Sequence, residues 1–176
     1  MINQVVYETV FSRFDHGLWS YHFPVPEDIA RLFISGSERR VICTINQAHT
    51  MHSAIMPDKG NWFIMINRVL KEKLRLNVGD KVRIALEKDS SEFGMPMPEE
   101  MQICMDMDES GKVFFLNLTP GKQRSLIYIV SKVKNPELKI RKSLAILHHL
   151  NVNKGKLDYK MLNETFKLYN EREDLI

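Results

Sequence analysis

The sequence predicts an α+β protein: a six-stranded β-barrel with short helices over residues 1–89, a linker over 90–98, and a helical region over 99–176. Three observations carry this. The first ninety residues hold six short runs of strand type, each half apolar, separated by tight turn signals. Six half-buried strands on short links leave exposed edges unless the sheet closes, and closure into a barrel removes them. After the break SSEFGMPMP (Ser90–Pro98), the apolar spacing changes from period two to the three- and four-residue spacing of helices.

The strands follow in order. Val6, Glu8 and Val10 alternate with Val5, Tyr7, Thr9 and Phe11, so residues 4–13 form the first strand. LWSYHF (Leu18–Phe23) is the second, broken by Pro24-Val25-Pro26. Pro26 suits the first position of a helix over Glu27–Ile34, and Glu27 and Asp28 favour its first turn. Strands over Arg39–Ile45 and His49–Met56 flank the tight connection Asn46-Gln47-Ala48, where asparagine tolerates the left-handed region. Pro57–Asn61 is a turn.

The stretch from Trp62 to Asp89 organises the domain. Trp62–Ile66 is a strand. Asn67 stands as the N-cap of a short helix with Ile66, Leu70 and Leu74 on one face. Gly79 supplies positive φ in the turn that follows, and Asp80 bonds to nearby amides there. Val82, Ile84 and Leu86 then alternate with Arg83, Ala85 and Glu87 as the sixth strand.

In the helical region, Pro98-Glu99-Glu100 opens a helix to about Asp106, and Asp108–Gly111 reads as a turn. VFFLNL (Val113–Leu118) is too short for periodicity to separate strand from helix. Thr119-Pro120 and Asn135-Pro136 each place a capping residue before an N1 proline, opening two further helices. Asp158–Asn170 is the last helix, with Leu162, Phe166 and Tyr169 on one side.

Composition bounds the function. The chain has 176 residues, 44% hydrophobic and 27% charged, which suits a folded core rather than disorder. A net charge of +3 does not by itself argue for nucleic acid. Cys43 and Cys104 form no CxxC pair; two reduced, buried thiols in a cytoplasmic protein are expected. No basic, apolar leader and no run of membrane-spanning length is present.

No residue pattern marks catalysis, a metal or a cofactor. There is no Gly-x-Ser-x-Gly, phosphate-binding or dinucleotide-binding motif. His49 and His52 lie three apart on a strand and so face opposite ways, which does not suit one metal. His148-His149 near a helix end are given no ligand role, and Ser53 and Thr50 face away from their histidine neighbours. Two candidate sites remain. Trp19, Tyr21, His49 and Trp62 are candidates to line a pocket at the barrel mouth, against the alternative that such aromatics are simply core. Between positions 122 and 142 seven basic residues face only Glu137. From these, Lys132, Lys134, Lys139, Arg141 and Lys142 form a candidate patch for an acidic or phosphate-bearing partner, or nucleic acid, against the alternative of a solvated helical face.

The residues LWSYHFPVPEDIA, RRVICTIN…H, Met56-Pro57 and NRVLKEKLRLNVGDKVRIALEKD resemble a small bacterial barrel domain of unknown function. LTPGKQRSLIYIVSKVKNPELKIRKSLAIL resembles the YdeI/OmpD-associated helical segment that often follows that domain. The two resemblances cover about four-fifths of the chain. They imply a cradle-loop type of barrel, a helix for VFFLNL, and a bacteriocin-protection or envelope-stress setting without a stated mechanism. The chain departs from the family in having Asn46-Gln47 for Asn-Gly, Ile129 for tryptophan and Leu138 for threonine; these are packing or surface positions. The helix and VGDKV turn also resemble the AbrB-type swapped-hairpin regulators, although this chain has a fuller barrel. The expected function is a non-enzymatic binding or protection protein. The alternatives are a nucleic-acid-binding regulator using the basic helices, and a small-ligand binder or enzyme at the barrel mouth.

Overall fold

A computed structural model describes residues 4–15 and 21–171. The chain divides into two compact units, Met1–Gly94 and Met95–Ile176.

The first unit contains β1 (Val5–Val10), β2 (Ser12–Arg13), β3 (Tyr21–Val25), α1 (Glu27–Phe33), β4 (Arg40–Ile45), β5 (His49–Ala54), β6 (Met56–Asp58), β7 (Asn61–Met65), α2 (Arg68–Lys73) and β8 (Lys81–Lys88). The expected single closed barrel of six strands is corrected here. Among the described residues, eight strands form two four-stranded antiparallel sheets, in the orders β1-β8-β4-β5 and β2-β3-β7-β6. The extra strands come from bends. The first expected strand breaks at Phe11, whose N–H donates to Asp80 O (2.8 Å) and whose carbonyl accepts from the Gly79 N–H (2.9 Å). The fourth breaks at Ile55, whose N–H donates to Arg39 O (2.9 Å). Each bent run thus contributes one strand to each sheet, which is how packed sheets turn corners. Phe11 and Ile55 are both fully buried, so each bend places an apolar side chain in the core.

That core also holds Phe23, Val41, Cys43, Ile45, Ile64, Val82, Ile84 and Leu86. The alternation of β8 buries Val82, Ile84 and Leu86 while Lys81, Arg83 and Lys88 stay exposed. Each large apolar side chain so buried contributes roughly 1.5–3 kcal/mol relative to exposure. Pro24, expected to break the second strand, lies within β3 opposite Phe63. It is tolerated because β2 pairs only with Tyr21 and His22, so no β2 residue needs the missing N–H. Asn46 and Gln47 take φ of 49° and 58° in the β4–β5 hairpin, and Asn46 Oδ1 accepts from the Arg83 N–H (2.8 Å). Asn67 caps α2 by accepting from the Leu70 N–H (2.8 Å). Asp80 Oδ2 accepts from the Asn77 N–H (2.7 Å) beside Gly79 at φ 100°.

The second unit is helical: α3 (Glu99–Met107), α4 (Glu109–Leu116), α5 (Pro120–Ser131), α6 (Pro136–Val152) and α7 (Tyr159–Glu171). VFFLNL falls largely in α4. The turn expected over Asp108–Gly111 is instead the start of α4, where Asp108 Oδ1 accepts from the Gly111 N–H (2.8 Å). Helix α6 is central and contacts the other four. Its buried residues (Arg141, Ser143, Ala145, Ile146, Leu147, His149 and Leu150) therefore spread around the helix rather than along one stripe. Asn135 caps it by accepting from the Leu138 N–H (3.2 Å). Among the described residues no helix is long and apolar enough to cross a membrane.

Candidate functional site

Where β5 leaves its sheet it passes the end of β7, and a cleft of about 340 Å³ opens at this seam. Its lining comes from Arg40 on β4, from His52, Ser53, Ala54 and Met56 around the bend, and from Met65, Ile66 and Asn67 at the end of β7. The strand register explains the polar side. Arg40 pairs with Ala54 and Ile42 with His52, so Arg40 and His52 are diagonal neighbours on one face of the sheet. Val41, Cys43 and Ile45 take the opposite, buried face.

Behind His52 stands Asp89, just past the end of β8. Its carboxylate Oδ2 lies 2.9 Å from His52 Nδ1, and its side chain is 0% exposed while that of His52 is 26% exposed. Asp89 Oδ1 accepts from Ser91 twice, from the backbone N–H (3.0 Å) and from the hydroxyl (2.5 Å). Burial opposes the Asp89 charge, but the hydrogen bonds from Ser91 and His52 outweigh it and hold the carboxyl below its ordinary range. The ionised carboxylate only accepts, so Nδ1 of His52 carries the proton that faces it. Nε2 is then an acceptor in the neutral ring and a second donor in the imidazolium. The segment after β8 is tied back over this face: the Asp89 N–H donates to Arg40 O (3.2 Å), and Arg40 Nη2 donates to Gly94 O (2.6 Å).

The cleft brings the polar Arg40 and His52 together with the apolar Ala54, Met56, Met65 and Ile66 in one lining, a mixed surface that can hold a small molecule. Among the described residues no group of three or more His, Cys, Asp or Glu is placed to hold a metal ion.

The sequence-predicted pocket residues are not brought together. Trp19 lies outside the described residues. Tyr21 stacks on Phe11 (5.7 Å between centroids), with the Arg13 guanidinium and the Lys71 ammonium 5.6 and 5.4 Å from its ring. His49 pairs with Ile45 at the hairpin end of β5, on the face of the strand opposite to His52. Trp62 pairs with Val25 and lines a different cleft, of about 310 Å³, with Phe14, His22, Asp58 and Phe63.

The predicted basic patch divides as well. Arg141 is buried. It donates through Nη1 to the Tyr169 carbonyl (2.9 Å) and the Asn170 carbonyl (3.3 Å) at the end of α7, and through Nη2 to Glu137 (3.2 Å). Lys139 pairs with Glu100 (3.3 Å), and the Lys142 ammonium lies 4.3 Å from the Phe166 ring centroid. Lys132 and Lys134 are exposed, Lys132 lying 5.3 Å from the Tyr128 ring centroid. The two thiols are free and buried. Burial pushes Cys43 up to about 12 and raises Cys104 as well, so both are poor nucleophiles at neutral pH.

Sequence reasoning missed Arg40, Asp89 and Ser91, and set His52 aside. The available signal was weak: Asp89 with Ser91 two positions on is the spacing of an Asx turn, and nothing local joins it to a histidine 37 positions earlier.

Comparison with protein families matches residues 10–86 to the Domain of unknown function (DUF1905) and residues 94–151 to the family described as Bacteriocin-protection, YdeI or OmpD-Associated. No curated protein matches the chain. The chain is thus similar over residues 10–86 to a DUF1905 domain and over residues 94–151 to a Bacteriocin-protection, YdeI or OmpD-Associated segment, in that order.

Proposed function

We propose that this is a non-enzymatic binding protein of bacteriocin-protection type, and that its binding site is the seam cleft at Arg40 and His52. One observation carries the reading: a fully buried carboxylate, Asp89, holds an imidazole at the wall of a cleft. Burying a carboxylate costs several kcal/mol before its hydrogen bonds offset that, and apolar side chains of similar size often do as well for stability alone. A charge retained in such a place is accounted for by what it positions. The family of the helical segment supplies the protective setting.

The basic helices are not put forward as the site, because Arg141, Lys139 and Lys142 already serve packing within their own unit. The test is a ¹H–¹⁵N titration of the full chain with a library of small metabolites at millimolar concentration. Shifts gathered at residues 52–56 and 65–67 support the reading. A library that perturbs no cleft residue, or that perturbs only the helical unit, overturns it.

A further inference from the structure

We infer that the outer face of the second sheet carries a further binding site, the cleft of about 310 Å³ at Phe14, Asp58 and Phe63, and that it takes a small alkylated ammonium ion. This cleft shares no lining residue with the seam cleft, so the inference stands apart from the function proposed above.

The register of the second sheet places the residues. Phe23, Val25 and Ile64 are buried on its core face. His22 and Pro24 alternate with the first two, and Phe63 and Asn61 take the same alternate positions on β7. Asp58 pairs with Asn61, so all five belong to the outer face. Phe14, just past β2, lies on His22, with 3.8 Å between ring centroids and 13° between planes. Phe63 stands across both rings, at 82° to Phe14 (5.0 Å) and 71° to His22 (5.6 Å). The rings therefore meet nearly at right angles, which makes an apolar corner on the outside of the sheet. Pro24 and Trp62 extend the lining, and Asp58 and Asn61, at the facing ends of β6 and β7, supply its polar side.

Charge decides the class of ligand. Among the described residues the lining holds two ionisable groups, His22 and Asp58. His22 is 7% exposed beneath the Phe14 ring and so offers the cleft little surface. Asp58 is half-buried, and none of the described residues binds its carboxylate. An anion in the cleft meets that carboxylate with like charge. A cation meets a counter-charge on one side and, on the other, aromatic rings that attract positive charge. A metal ion or a bare ammonium is strongly hydrated, and one carboxylate does not replace the water it gives up. An alkylated ammonium carries its charge beneath apolar C–H groups, which pack against the rings and keep the attraction. A volume of about 310 Å³ is at the small end of known small-molecule sites, roughly 300–1,000 Å³, and suits a methylated head on a short chain.

The experiment titrates four small probes into the full chain and follows ¹H–¹⁵N shifts. They are choline, its neutral isostere 3,3-dimethylbutan-1-ol, its unmethylated counterpart ethanolamine, and the anion 3,3-dimethylbutanoate. The expected result is saturable binding of choline, at least tenfold tighter than each of the other three, with shifts gathered at residues 58–63 and at the Trp62 indole. Asp58→Asn is expected to weaken choline at least tenfold. No described residue bonds to the Asp58 side chain, so the variant keeps the fold, and an unchanged spectrum away from the cleft verifies that. The neutral isostere or the anion binding within tenfold of choline overturns the role of the charge. Ethanolamine binding within tenfold of choline overturns the role of the rings. Choline shifts gathered at residues 52–56 instead, an unaltered affinity in Asp58→Asn, or no saturable shift with choline at tens of millimolar each overturn the site. Every one of these failures leaves the seam cleft to be judged by its own titration.

Discussion

Replacing Asp89 by alanine tests the central arrangement directly. The change removes the acceptor for three hydrogen bonds, one from His52 and two from Ser91. Hydrogen bonds to a charged group are worth roughly 1.5–3 kcal/mol each. Ser91 is exposed, so water replaces its acceptor at little cost. The His52 bond is part-buried and its loss counts more fully. Against this, the unfavourable burial of the carboxylate disappears. The balance is a destabilisation of about 2 kcal/mol for Asp89→Ala. For Asp89→Asn it is about 1 kcal/mol, because the amide oxygen still serves Ser91 while its NH₂ meets a His52 of the other tautomer.

Trp62 lies in β7 and the helical unit has no tryptophan, so tryptophan fluorescence reports unfolding of the sheet unit. With a urea slope of about 1–2 kcal/mol/M for a unit of this size, Asp89→Ala lowers the midpoint by about 1–2 M. The ¹⁵N shifts of the His52 imidazole move at the same time, from the Nδ1–H tautomer toward the Nε2–H one. A midpoint loss equivalent to less than about 0.5 kcal/mol, the scatter of ordinary surface changes, together with an unchanged imidazole spectrum, would refute the view that Asp89 sets the state of His52.

Four other predictions follow from the same geometry. Arg141→Ala leaves the last carbonyls of α7 without their buried donor and should cost the helical unit about 2–3 kcal/mol; α7 amide exchange should rise sharply, and unchanged protection would contradict the role assigned here. Burial, chiefly, holds the His149 imidazole below the usual histidine range while its Nε2 accepts from the Asp158 N–H (3.2 Å). The unfolded chain then binds the proton more readily, so stability is full above about pH 6.5. It falls as pH drops from there to the lower folded-state value, and a slope surviving in His149→Gln would show another group to be responsible. Gly111→Ala puts a Cβ at 2.7 Å from Asp108 Oδ2 and 3.0 Å from Leu147 Cβ, and should lower thermal stability by an amount equivalent to about 1–3 kcal/mol; a neutral result would mean that the α4–α6 contact is loose. Neither Cys43 nor Cys104 should react with a thiol reagent in the folded protein at neutral pH, while both react in denaturant; fast native labelling would disprove their burial.

Much of the fold was legible because its signals are short-ranged. The Asn67 cap spans three residues to Leu70, and the Asn135 cap spans the same distance to Leu138; the Asp108 cap spans it too, but there the residues read as a turn and not as a helix start. The alternation in β8 is a property of that strand alone, and the sheet core follows from it. The candidate site was much less legible. Trp62 and Tyr21 were chosen because aromatics line pockets, but the β3–β7 register sends Trp62 toward Val25 and Tyr21 into a stack on Phe11. Arg141 was chosen for its charge, which the end of α7 draws into the interior.

What the sequence by itself determined is therefore most of the strands and helices, the Asn67 and Asn135 caps, the turns at Asn46 and Gly79, and the change of character in the segment after β8. These depend on neighbours within about four positions, where the backbone geometry of a helix or strand is already known. Only the tertiary structure decided that two of the six strands bend, at Phe11 and Ile55, and so divide between two sheets. It alone placed His52 against Asp89, since β4 must first pair with β5 on one side and β8 on the other. The segment after β8 must then fold back through Asp89 and Gly94 onto Arg40. A contact that needs two strand registers and one loop to agree has no periodicity of its own, and this one becomes visible only when the chain has closed around it.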